Sequence, residues 1–164
     1  INAGRLTDKG KKLDRLLSAL ELVGPLLVIS SAFDLCRSFP VRIWVDNAGS
    51  VFIWRKGYSS SCPISTTIVK AIATLMSALG TRLEIVKITR CSTKFATYAD
   101  FLSKGCLRRF LSESSSDHYQ FPVEMAWVSP QLRLWLENPV PDLDLGAKIL
   151  SDLSEQGAVL QPSL

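Results

Sequence analysis

Val41-Arg42-Ile43-Trp44-Val45-Asp46-Asn47 decides how this chain is read. Its first five residues are β-branched or aromatic apart from Arg42, and they alternate, which is the pattern of a short strand. Val41, Ile43 and Val45 take one face, and Arg42 and Trp44 take the other. Asp46-Asn47 closes the strand. Downstream, Ala48 to Lys56 reads as a short helix ending at Gly57, a glycine suited to the residue after a helix. Tyr58 to Cys62 is a serine-rich loop. Pro63 opens a second helix that runs to about Leu79 and stops at Gly80. Leu83-Glu84-Ile85-Val86-Lys87-Ile88 alternates again and forms the second expected strand. Strands separated by helices predict an α/β layered fold, with the connection right-handed.

Working outward, apolar residues upstream fall at Leu13, Leu16, Leu17, Leu20, Val23, Leu26 and Leu27, a helical period. Pro25 is expected to bend or restart that helix. Ser30 to Ser38 then leads to a break at Pro40. Residues 1–12 are polar and basic and read as a frayed segment. Beyond the second strand, Arg90 to Phe95 is a polar loop. Thr97 suits an N-cap, with Asp100 in the first turn of a helix from Tyr98 to about Leu111 that Gly105 interrupts. Residues 112–128 read as a linker that opens with Ser-Glu-Ser-Ser-Ser-Asp. Residues 129–164 form a C-terminal extension with helices near Ser129–Glu137 and Leu143–Gln156, separated by Pro139 and Pro141.

The chain has 164 residues, of which 47% are hydrophobic, enough for one domain with a real core. Its most apolar window, Leu16 to Cys36, carries Glu21 and Asp34 and contains Gly24-Pro25, so a buried kinked helix is expected there and not a membrane span. The chain starts at Ile1 without a basic, apolar leader, which suggests an internal fragment or truncated product inside the cell, cytoplasmic or nuclear. Cys36, Cys62, Cys91 and Cys106 form no C-x-x-C pair, and His118 is the lone histidine. Zinc spacing is therefore missing, and reduced thiols are expected. No nucleophile stands in a triad pattern with His118, and no phosphate-binding glycine motif occurs. The net charge of +4 hides an asymmetry. Residues 1–111 hold 17 Lys or Arg against 7 Asp or Glu, whereas residues 112–164 hold 2 against 8. A basic body suits a polyanionic partner, and solvated Lys/Arg-rich helix faces are the plainer alternative.

Three carboxylates stand out by position. Glu21 lies on or beside the apolar stripe of the first helix, Asp46 ends a strand, and Asp100 sits in a first helical turn. Strand ends and helix starts share one rim of an α/β sheet, where sites form. Two or three carboxylates there suit hard Mg²⁺ or Mn²⁺. Each also has a plainer reading. Asp46 serves as a turn residue beside Asn47, Asp100 as a capping carboxylate, and Glu21 as a solvated residue at a kink.

Ile43-Trp44-Val45-Asp46-Asn47-Ala48-Gly49-Ser50-Val51, with Lys56-Gly57-Tyr58-Ser59, resembles RNase H-like domains of retroelements, those of DIRS-like type above all. Ala99-Asp100-Phe101-Leu102-Ser103-Lys104 is similar to the family's late Ala-Asp-x-Leu-Ser segment, and Ala19-Leu20-Glu21 to its helix-borne ligand. The resemblance covers about residues 13–111. It implies a mixed five-stranded sheet with flanking helices and metal-dependent cleavage of RNA paired to DNA. It also implies Glu21, Asp46 and Asp100 as catalytic metal ligands and Asn47 as a substrate contact. The family's first Asp-bearing strand and the two strands after it precede the Glu-bearing helix and have no counterpart ahead of Leu13. A partial domain is therefore expected, weak or inactive as a nuclease, with an open edge on Val41–Val45 through which chains self-associate.

Lys56, Arg90 and Lys94 are the cations placed best to meet phosphates. Ser59 to Ser61 suits a phosphate or a plain turn. Trp44 and Trp54 suit base stacking, with half-buried packing the favoured alternative. A non-catalytic module that binds nucleic acid or protein through the same basic body is the second functional expectation.

Overall fold

The computed structural model describes residues 8–37, 39–87, 105–115 and 127–157. Among them the order is α1 (Asp8–Ser31), α2 (Phe33–Arg37), β1 (Val41–Val45), α3 (Ala48–Lys56), α4 (Pro63–Leu79), β2 (Leu83–Lys87), α5 (Leu107–Ser115), α6 (Pro130–Glu137) and α7 (Leu145–Glu155). The fold is mixed α/β and mostly helical. β1 and β2 pair in parallel, Val41 opposite Leu83 through Val45 opposite Lys87, with α3 and α4 as the crossover. A five-stranded sheet is not found among the described residues.

α4 is the centre of the core. Ile68, Val69, Ile72, Leu75, Met76 and Leu79 are buried along it. Burying one such side chain is worth about 1.5–3 kcal/mol, so this helix alone carries much of the stabilisation. Pro63 starts α4, where a missing N–H costs nothing. Gly80 ends it in the left-handed region, as Gly57 ends α3 at φ 79°, with the Gly57 N–H donating to the Ile53 and Trp54 carbonyls. A side chain at that φ would be strained, so the turn out of α3 needs glycine.

α1 packs on α4 through Ala19, Leu22, Leu26 and Ile29. Pro25 does not restart the helix, which continues to Ser31. A proline inside a helix costs about 3 kcal/mol. Pro25 is itself buried beside Leu22, Leu26 and Ile29, and that apolar face outweighs the cost. Gly24 also offers no Cβ to meet the proline ring. Ser30 and Ser31 hydroxyls then donate to the Leu27 carbonyl, and α1 gives way to α2. The stretch leading to the break at Pro40 thus holds a short helix, anchored by buried Phe33 and Cys36.

α5 runs past Leu111 to Ser115, into residues expected to be linker. An Arg109–Glu113 ion pair of 2.9 Å, four residues apart, supports the extra turn. The C-terminal helices belong to the same core. Leu132, Trp135, Leu145, Ile149 and Leu153 are buried in one cluster with the α4 residues. The approach of α7 to α4 is tight at Gly146, where a Cβ would lie 2.9 Å from the Ala71 Cα and 2.7 Å from the Thr74 Cβ. Thr67 Oγ1 accepts from the Asp142 N–H at 2.9 Å, and Trp135 Nε1 donates to the Val140 carbonyl at 2.7 Å. Asp152 accepts from the Ser129 hydroxyl and from the Gln131 N–H, bracing the start of α6. No described helix is long and apolar enough to cross a membrane.

Candidate functional site

The end of β1 is fastened to α1. Asn47 caps α3: its Oδ1 accepts from the Ser50 N–H at 3.1 Å and from the Ser18 hydroxyl at 3.4 Å. Buried Ser50 donates its hydroxyl to the Ser18 carbonyl at 3.0 Å. Gly49 permits this clasp, since a Cβ there would stand 2.6 Å from Ser18 Oγ. Asp46 immediately precedes the clasp and is exposed. Glu21, also exposed, is one turn beyond Ser18, about 4.5 Å further along the α1 axis. Two of the three expected ligands therefore stand on elements tied together. Asp100, Arg90 and Lys94 lie outside the described residues. Among the described residues, no three His, Cys, Asp or Glu side chains come together.

Beside the clasp lies a cleft of about 240 Å³ between α1, α3 and the loop from Tyr58 to Cys62. Ser18 and Gly49 form one wall, Phe52 and Ile53 contribute apolar surface, and Lys56, Ser59, Ser60 and Ser61 contribute polar groups. The Lys56 ammonium stands 4.3 Å from the centre of the Tyr58 ring, an attraction that restrains a flexible side chain. The loop is held from α4. The Ser59 N–H donates to Thr66 Oγ1 at 2.9 Å, the Thr66 hydroxyl donates to the Ser59 carbonyl at 3.2 Å, and the Cys62 N–H donates to Ser59 Oγ at 3.2 Å. One cation and several hydroxyls around a small open cleft suit a singly or doubly charged oxyanion such as a phosphodiester.

Asn47 has a structural job as well, because its side-chain oxygen is engaged as a helix cap. An Asn directly before a helix is itself a cap signal. Ser18, Phe52 and Tyr58 were not singled out by sequence. Ser18 lies three residues before Glu21, but nothing local marks it as the partner of a segment 29 residues away. Trp44 is 58% exposed, contrary to the expectation of half-buried packing, whereas Trp54 does pack against the core. Burial pushes the Cys36 thiol up, which leaves it a packing group. Comparison with protein-family models, with curated proteins and with solved structures gives no match to this chain.

Proposed function

We propose that the chain is the nucleic-acid-binding part of an RNase H-like nuclease of retroelement type. In its complete form it hydrolyses the RNA strand of RNA/DNA hybrids, and as this chain it is weak or inactive. The observation that carries the proposal is the cleft joined to the end of β1. A backbone phosphate held by Lys56 and the Ser59–Ser61 loop would place the neighbouring strand across Ser18 and Asn47, beside Asp46.

Glu21, Asp46 and Asp100 would hold Mg²⁺ or Mn²⁺, since carboxylate oxygens are the donors these hard ions take, and Glu21 and Asp46 are exposed. Such ions, when bound, activate water and stabilise a leaving oxygen. The protein's own part is positional. Lys56 attracts the strand, the loop latched through Thr66 fixes its register, and the Ser18–Ser50 clasp keeps α1 against the end of β1.

The test is cleavage of a labelled RNA/DNA hybrid with Mg²⁺ or Mn²⁺, alongside binding at several salt concentrations. Cleavage by this chain should be weak at most, and any that is measured should be lost in Asp46→Asn with binding retained. Salt-dependent binding without cleavage, weakened in Lys56→Ala, would leave a binding module with the same cleft. Salt-insensitive binding, or cleavage indifferent to Asp46→Asn, would sink the nuclease assignment.

A further inference from the structure

Lys56 closes α3 and lines the cleft. A lysine on a helix surface is a flexible stem with a strongly hydrated head, and by itself it samples many rotamers. The negative pole of α3 does not select among them. It draws Arg55 and Lys56 alike, since both stand in the last turn, yet of the two Lys56 lines the cleft. The contact that distinguishes Lys56 is with Tyr58, whose ring centre lies 4.3 Å from its ammonium. Attraction of a cation to a ring face operates within about 6 Å.

The backbone on both sides of Tyr58 is fastened. Before it, Gly57 turns the chain back at φ 79°, and the Gly57 N–H donates to the Ile53 carbonyl at 2.9 Å and the Trp54 carbonyl at 3.1 Å. After it, Ser59 is latched to Thr66 through its N–H and its carbonyl. The ring then has only its own side-chain torsions to settle, fewer than a lysine has. The lysine therefore adapts to the ring, and the ring serves as its platform.

We infer that Tyr58 is a positioning residue: its ring holds the Lys56 ammonium over the cleft, so that an incoming oxyanion meets a cation already in place. The consequence for binding rests on the nucleic-acid reading of the cleft, whereas the hold on Lys56 does not. Tyr58 acts through Lys56, and the property it needs is the aromatic face, not the hydroxyl. Phenylalanine should therefore serve in its place and leucine should not. Without the ring, part of the binding energy goes into ordering the lysine first. A contact of this kind at an exposed position corresponds to about a two- to fivefold change in affinity. Tyr58 is exposed, so its replacement leaves the core alone.

The experiment has one arm without ligand and one with it. Lysines dimethylated with isotope-labelled methyl groups keep their charge and are read by magnetic resonance, with the Lys56 signal assigned from its loss in Lys56→Gln. In the free protein that signal should stand upfield through the ring current of Tyr58. It should stay there in Tyr58→Phe and move to the position of exposed lysines in Tyr58→Leu. The second arm measures binding of a labelled RNA/DNA hybrid over a salt series. Tyr58→Leu should weaken binding about two- to fivefold at fixed salt without changing the salt slope, because Lys56 still meets the phosphate. Tyr58→Phe should restore the affinity. Lys56→Gln should lower the slope by about one contact, and adding Tyr58→Leu to it should cost nothing more. A Lys56 signal unshifted in the unaltered protein, or unmoved in Tyr58→Leu, overturns the inference. So does an equal loss from Tyr58→Leu with and without Lys56, which would make the ring a direct contact or a structural part. If the unaltered chain binds no hybrid, the nucleic-acid reading falls, and the ligand-free arm still decides whether Tyr58 holds Lys56.

Discussion

Gly146→Ala is expected to destabilise the protein although it puts a better helix former into a helix. Gly146 is the second residue of α7, where replacing glycine by alanine gains at most about 1 kcal/mol of propensity. Against this, the new methyl would begin 2.7 Å from the Thr74 Cβ and 2.9 Å from the Ala71 Cα. Ordinary carbon contacts lie at about 3.5–4.0 Å, so α7 must retreat by roughly an ångström. Neither neighbour can yield, because one is backbone and the other is fixed to the backbone of α4. A gap of about that size forfeits a quarter to a half of the dispersion energy of each opened contact. Leu145, Ile149 and Leu153 all lie on the face that would lift. Overpacking of this kind costs about 1–3 kcal/mol, which exceeds the propensity gain and leaves a net loss of about 1–2 kcal/mol. For a chain of this size the melting temperature should fall by about 2–8 °C.

The neighbouring Ala147 supplies the control. It is exposed on the same turn, and Ala147→Gly loses propensity without touching α4. Both substitutions should therefore lower the urea midpoint, although they run in opposite chemical directions. If propensity governed α7, the two would have opposite signs. A Gly146→Ala midpoint at or above that of the unaltered protein would refute the close crossing of α7 on α4.

Two other expectations concern the same C-terminal helices. Hydrogen bonding from Lys148 holds the Asp142 carboxyl below its ordinary value, with lesser help from the Asp144 N–H. A lowered folded pKa means that the stabilisation is present above the ordinary carboxylate range, near pH 4, and lost as pH falls through the lower value. Lys148→Met should therefore flatten the acid side of a urea-midpoint profile, and an unchanged profile would show that the 2.7 Å pair is not formed in solution. Asp152→Asn should cost about 1 kcal/mol, because it weakens a charge-assisted pair of bonds to Ser129 and Gln131. Combined with Ser129→Ala, which removes the cap on α6, the loss should be less than the sum of the two, and strict additivity would separate the residues.

The sequence makes legible what neighbouring residues decide. Val41–Val45 alternates because one face of it is buried, and Gly57, Pro63 and Gly80 mark helix ends because each has a backbone preference of its own. It hides what distant residues decide. Pro25 breaks a helix on its own terms, and only the buried face shared with α4 shows why α1 continues. The serines after Leu111 look like a linker, and the Arg109–Glu113 pair extends the helix through them. Asp46 and Asn47 were visible as a strand end, but the cleft was not. One wall of it comes from α1 and the other from the loop before α4, and no local pattern joins Ser18 to Ser59.

This division bears on how a loss of function should be interpreted. The cleft residues sit on α1, on α3 and on a loop slung between Gly57 and Pro63. That loop keeps its shape through Thr66, in the first turn of α4. α4 in turn is covered by α7 at Ala71 and Thr74, and its Thr67 is bonded from Asp142. The C-terminal helices supply no lining to the cleft, yet they cover the helix from which it is latched. If the chain binds nucleic acid as proposed, a change at Gly146 or Asp142 that weakens that binding acts through α4, and it should do so in proportion to lost stability. A change at Lys56 acts at the cleft and should weaken binding with the urea midpoint unmoved. Measuring both quantities on one set of variants separates a residue that meets the ligand from one that only holds the wall in place.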